Sequence, residues 1–161
     1  VITLLNQHMG ALTEVVYRWH GVITQFAGDA IMAVFGAPTR HGDDAANAVR
    51  CAWEMQAARA QLNLDAKLPL EIGIGVASGS VVAGCIGAEN RADYTVVGER
   101  VNLAARLCSV AAAGQVVVDE TTRAALPSEI NLEPMPEPLH LKGFEGGTVA
   151  YRVTAIQPPS A

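Results

Sequence analysis

The segment GVITQFAGDAIMAVFG, residues 21–36, constrains the fold more than any other part of the chain. Val22 to Ala27 and Ala30 to Phe35 are apolar runs of strand length. Between them Gly28-Asp29 forms a two-residue turn of the kind that closes an antiparallel hairpin. Ahead of it Ile2, Leu5, Met9, Leu12, Val16 and Trp19 recur at steps of three and four, the spacing of one helix face, and Gly21 ends the pattern. A chain that passes from an amphipathic helix directly into a tight hairpin has to pack helix against sheet. The stripe is already under way at the first residue, with no capping Ser, Asp or Asn before it, which predicts further sequence upstream of Val1.

Downstream the same alternation continues. GAPTRHGDDA supplies a loop and a helix start, with Asp43 as the expected cap and Asp44 in the first turn, where negative charge suits the helix dipole. An alanine-rich helix to about Gln61 is expected to bury Val49, Trp53 and Ala57. LPLEIGIGVASGSVVAGCIG reads as two short strands whose glycines permit turns or close backbone approach. No Lys-Ser or Lys-Thr pair opening a helix follows them, as a phosphate-cradling P-loop requires. VGERVNLAARLCSVA is a helix, QVVVD a strand and ETTRAAL a short helix begun near Asp119; late strands are expected around LHLKGF and TVAYRVTAI. With 161 residues, 50% of them hydrophobic, the chain holds one core. Residues 1–161 therefore read as a single α+β domain.

Composition removes several classes of function. The formal charge of -5, with no dense basic tract, argues against DNA or RNA as a partner. No run approaches the roughly 18 apolar residues of a membrane helix, so direct membrane contact is not expected of this segment. Cys51, Cys85 and Cys108 are odd in number and set among apolar neighbours, which predicts buried thiols in a reducing, cytoplasmic compartment. His8, His20, His41 and His140 have no metal-ligand spacing and read as surface or loop residues, while Trp19 and Trp53 read as core.

Two positions stand out chemically. Asn102, Arg106 and Ser109 share one face of their helix, and Leu103, Leu107 and Val110 share another. The polar face is either a solvated surface or a site, since an amide and a planar cation one turn apart suit a phosphate ester. Asp29 in the hairpin turn is either a residue that tolerates the turn or a hard oxygen ligand for magnesium.

Taken together, GVITQFAGDAIMAVFGAP, HGDDAANAV, EIGIGVASGSVVAGCIG, RADYTVVGERVNLAARL and LHLKGF resemble, in order and spacing, the catalytic domain of class III adenylate and guanylate cyclases over almost the whole chain. The resemblance implies a ferredoxin-like α/β sandwich lacking the family's first strand, which carries one of two metal-binding aspartates. Asp29 matches the second. Asn102 matches the residue that orients the ribose, Arg106 the residue that stabilises the transition state, and Lys142 the contact to the terminal phosphates. The implied reaction is attack of the 3′-hydroxyl of ATP on the α-phosphorus, with expulsion of pyrophosphate, assisted by two Mg2+ or Mn2+ ions. The implied assembly is a homodimer whose sites are shared between subunits, with a regulatory domain fused upstream.

One position departs from the family pattern. The base-selecting pair falls on Gln25 and Thr95, and Gln25 stands where adenylate cyclases commonly carry lysine. A Gln25 amide can donate to adenine N1 while Thr95 accepts from the 6-amino group, and the same amide, rotated, accommodates guanine, so ATP is favoured over GTP without excluding it. A diguanylate cyclase is disfavoured, because Ala30-Ile31 follow the turn where that family supplies another carboxylate. A noncatalytic cyclase-like module that dimerises or senses a nucleotide is the other reading.

Overall fold

The structure, a computed structural model, describes residues 2–27, 30–64, 69–88, 91–136 and 138–158. The turn at Gly28-Asp29, and with it the metal assignment of Asp29, lies outside the described residues.

Helix α1 spans Ile2–Arg18. It ends in a Schellman motif: the His20 amide donates to the Tyr17 carbonyl (3.1 Å) and the Gly21 amide to that of Val16 (2.9 Å). The left-handed residue is His20, at φ 67, and not the glycine. Gly21 is needed for space, because a Cβ there would lie 2.6 Å from the Phe35 ring. Strands β1, Val22–Ala27, and β2, Ala30–Val34, then form the expected hairpin, paired from Val22↔Val34 to Ala27↔Ala30 with an irregularity between Ile23 and Gln25. Helix α2 spans Asp44–Asn63. Asp43 precedes it without a side-chain cap bond; instead the Asp44 carboxylate accepts from the His41 amide at 3.1 Å.

The remaining elements are β3 (Ile74–Val76), β4 (Val82–Ala88), β5 (Arg91–Val97), α3 (Glu99–Val110), β6 (Val116–Asp119), α4 (Glu120–Ala124), β7 (Ile130–Pro134) and β8 (Ala150–Ile156). The described strands form a four-stranded mixed sheet in the order β3-β6-β8-β7 and two antiparallel ribbons, β1-β2 and β4-β5. All four residues of β6 are buried because helices cover both faces of the sheet. Val116 and Val118 pack with Ala46, Val49 and Ala52 of α2, whereas Val117 packs with Leu103 and Leu107 of α3. A third cluster joins Val15 and Val16 of α1 to Cys51 of α2. The fold is α+β, as the sequence predicts.

Several expectations are corrected. LHLKGF is not a strand: Leu139 makes an isolated bridge to Thr148, and Leu141–Phe144 is a turn, with the Phe144 amide bonded to the Leu141 carbonyl and Gly143 at φ 89. The sheet edge is supplied by β7, and β5 is a strand that the sequence pattern does not single out. Ala57 faces solvent, while Trp19 and Trp53 are half-buried at cluster margins. His8 is fully buried and lies against Asn63 Oδ1 at 3.3 Å. Asn63 in turn bonds both the amide and the carbonyl of Leu70, at 2.9 and 2.7 Å. Beside it Gln56 donates to the carbonyls of Ile72 and Gln115 and accepts from Arg59, whose guanidinium reaches Glu71 at 3.0 Å. This chain of bonds satisfies the loop that leads into β3, and so sets where β3 begins.

The cysteines also divide. Cys51 is buried, but Cys85 and Cys108 are exposed: residues 82–87 of β4 all face solvent, the covered part of the ribbon being β5 at Val96, and Cys108 faces away from the α3 core stripe. Burial pushes the Cys51 thiol up to about 12, so at pH 8 it remains a neutral thiol. In a timed labelling with a thiol reagent, Cys85 is expected to react readily and Cys51 only after denaturant is added. Modification of Cys51 as fast as Cys85 would contradict the packing of α1 on α2.

Candidate functional site

Helix α3 presents the polar face expected of it. Leu103 and Leu107, 3% and 0% exposed, hold the helix to the sheet, and this leaves Asn102 exposed and Arg106 half-buried on the adjoining face, about 100° round the helix. Gly98, at φ 146, links β5 to the helix through a backbone conformation that L side chains rarely adopt. Seven residues along the chain thus separate Thr95 on a strand from Asn102 on a helix.

Lys142 arrives from the far end of the sequence. Leu141 is buried in the same cluster as Leu103 and Leu107, which fixes the turn beside α3 and leaves the Lys142 side chain exposed. Asn102, Arg106 and Lys142 accordingly line one open cleft of about 540 Å³, together with Glu99, Phe144 and the glycines 98 and 143. Among the described residues, none forms a hydrogen bond or ion pair with the side chains of Asn102, Arg106 or Lys142. Two cations and an amide without partners among the described residues, facing one opening, are an arrangement for an anionic, hydroxyl-bearing ligand.

Gln25 is exposed on β1, opposite Met32 just past the irregularity, and Thr95 is half-buried on β5, opposite Gly84. β1 and β5 are in contact, so these two residues lie on neighbouring strands. Neither lines the cleft of Asn102. Ser109 shares the helix face but turns back to bond the Ala105 carbonyl at 3.1 Å.

The described residues do not by themselves make a divalent-cation site: no group of three or more His, Cys, Asp or Glu side chains is placed to hold an ion. Glu99 is the carboxylate of the cleft, and its nearest cation is Arg100, at 4.0 Å. Glu99 was legible in principle, since it precedes Asn102 by three residues on the helix. Phe144 and Gly143 carry no such signal; the turn alone brings them there.

A model of the adenylate and guanylate cyclase catalytic domain matches residues 1–155. An uncharacterized protein of Mycobacterium tuberculosis (strain ATCC 25618 / H37Rv) is 42% identical over an aligned length of 155 residues, with 92% of this chain and 28% of that protein covered. A second protein of that strain, also uncharacterized, is 40% identical over 152 residues, covering 90% of this chain and 25% of its own length. The chain thus spans 25% to 28% of the length of these curated relatives. Among solved structures, the guanylyl cyclase Cya2 superposes with a TM-score of 0.89 at 36% identity, covering 98% of this chain and 82% of that one. The adenylyl cyclase CyaB from P. aeruginosa superposes with a TM-score of 0.90 at 30% identity, covering 97% and 83%. Among the described residues no helix is long and apolar enough to cross a membrane.

Proposed function

This chain belongs to the adenylate and guanylate cyclase catalytic domain family, and on that premise we propose that it converts ATP to 3′,5′-cyclic AMP and pyrophosphate. The observation that carries the reading is the single cleft holding Asn102, Arg106 and Lys142, drawn from a helix and a distant turn. In the proposed reaction the ribose 3′-oxygen forms a bond to the α-phosphorus and gives up its proton. The bond from the α-phosphorus to the bridging oxygen breaks, and pyrophosphate leaves with the electron pair. Asn102 holds the ribose, Arg106 meets the charge that grows on the α-phosphoryl oxygens, and Lys142 binds the terminal phosphates. Gln25 and Thr95 read the purine, and the Gln25 amide is what leaves GTP as a competing substrate.

Divalent cations, Mg2+ or Mn2+, belong to the proposal through the Asp29 carboxylate, a hard oxygen ligand. A homodimer is proposed as well. It is supported by the β4-β5 ribbon, where Val82, Ile86 and Val97 are 71%, 62% and 51% exposed on one face. The exposed Cys85 thiol suits a reducing cytoplasm.

The direct test incubates the full chain with Mn2+ and either ATP or GTP and measures cyclic nucleotide and pyrophosphate. No product from either would favour the noncatalytic module. The shared site has its own test: Asp29→Ala and Arg106→Ala chains, each inactive alone, are expected to regain activity when mixed, because a hybrid dimer contains one intact site. Background activity in mixtures shown to contain hybrid dimers would rule out sharing.

A further inference from the structure

On the side of α3 that faces away from Asn102, a buried ionic network ties the first turn of the helix to the sheet. Asp119 is 2% exposed at the end of β6. Its Oδ1 accepts from the Thr122 amide at 3.0 Å and from the Thr122 hydroxyl at 2.5 Å. The Thr122 hydroxyl, 0% exposed, also lies 2.7 Å from Ser78 Oγ, just beyond β3. Asp119 is therefore held from two elements, and its Oδ2 accepts from Arg100 Nη1 at 3.3 Å. The Arg100 stem runs across Gly79, where a Cβ would come within 2.7 Å of Arg100 Cγ. The tether adds to the packing of Leu103 and Leu107 at a helix start where Gly98 offers no side-chain cap.

We propose that Arg100 is a positioning residue, fixing the rotation of α3 about its axis and so the placement of Asn102 and Arg106 in their cleft. The geometry makes this matter. Groups on a helix surface lie about 5–6 Å from the axis, so a rotation of about 10° displaces them by about 1 Å. Misplacement of that size can cost on the order of 10²-fold in chemistry that depends on alignment. For the roles of Asn102 and Arg106 the inference rests on the cyclase reading, but its first readout does not.

That readout is amide exchange in the full chain carrying Arg100→Met, which keeps the stem and removes the charge. The Val101 and Asn102 amides, both bonded to the Gly98 carbonyl at 3.2 and 3.3 Å, report the first turn. Their protection is expected to fall about 10-fold, the factor that loss of one charge-assisted hydrogen bond brings. Under cyclase assay kcat is expected to fall about 10- to 100-fold with KM changed far less. Arg100→Lys should recover part of both losses. Arg123→Met, which breaks a pair with Glu120 on the neighbouring α4 without touching α3, should change neither. Unchanged protection at Val101 and Asn102, or an equal loss of kcat in Arg123→Met, overturns the proposal. A wild-type chain that makes no cyclic nucleotide defeats the cyclase reading instead, and the exchange result then decides on Arg100 alone.

Discussion

Arg106→Met in the full chain is expected to lower kcat for cyclisation on the order of 10²- to 10³-fold, the usual effect of removing one donor aimed at developing charge. Stability should barely change. Arg106 has no bonding partner among the described residues and is half-buried on the face of α3 beside the Leu103-Leu107 stripe, so its removal leaves no buried group unsatisfied. Surface changes of that kind usually stay within about 0.5 kcal/mol, or about 1–2 °C in Tm for a domain of this size. The two kinetic constants carry separate information. A guanidinium that acts in the transition state lowers kcat and kcat/KM together, whereas one that only binds phosphate raises KM and leaves kcat alone. Steady-state kinetics beside a thermal melt separates the cases, and a pure KM effect would move Arg106 from catalysis to binding.

Gly75→Val should have the largest effect on stability. A Cβ at Gly75 would sit 2.4 Å from both the Ala104 carbonyl oxygen and the Cys108 amide nitrogen. Those are backbone atoms of α3, so no rotamer change relieves the overlap; the helix must move off β3. Overpacking of this kind typically costs about 1–3 kcal/mol and sometimes more, which is about 2–12 °C in Tm. Activity should fall further than stability explains, because the displaced helix carries Asn102 and Arg106. Gly84→Ala is the matched control: nothing lies within 4 Å of a Cβ there, and the melt should move by no more than about 1–2 °C. Equal melting temperatures for Gly75→Val and wild type would mean that α3 does not rest on β3 as described.

These two glycines show why the sequence could be read only so far. Both belong to one glycine-rich segment, and its composition supports turns or close approach at every position. At Gly75 a helix backbone passes overhead; at Gly84 there is open space. The difference is set by α3, which lies more than twenty residues away along the chain. The same limit explains His8, read as a surface residue yet buried against α2, and Cys85, read as buried yet exposed on β4, the solvent-facing strand of its ribbon.

What the sequence determined by itself was local. Helical periodicity set Asn102 and Arg106 on one face of α3, and two short apolar runs close together in sequence set the β1-β2 hairpin, since both patterns depend on neighbours within a few residues. Only the tertiary structure brought Lys142 to the same cleft, and it did so by burying Leu141 against Leu103 and Leu107 across an interval of sequence that no periodicity spans. It also coupled Arg100 to Asp119. Such pairings follow from which surfaces a folded core presses together, and that choice is made by packing over the whole chain rather than by any one segment.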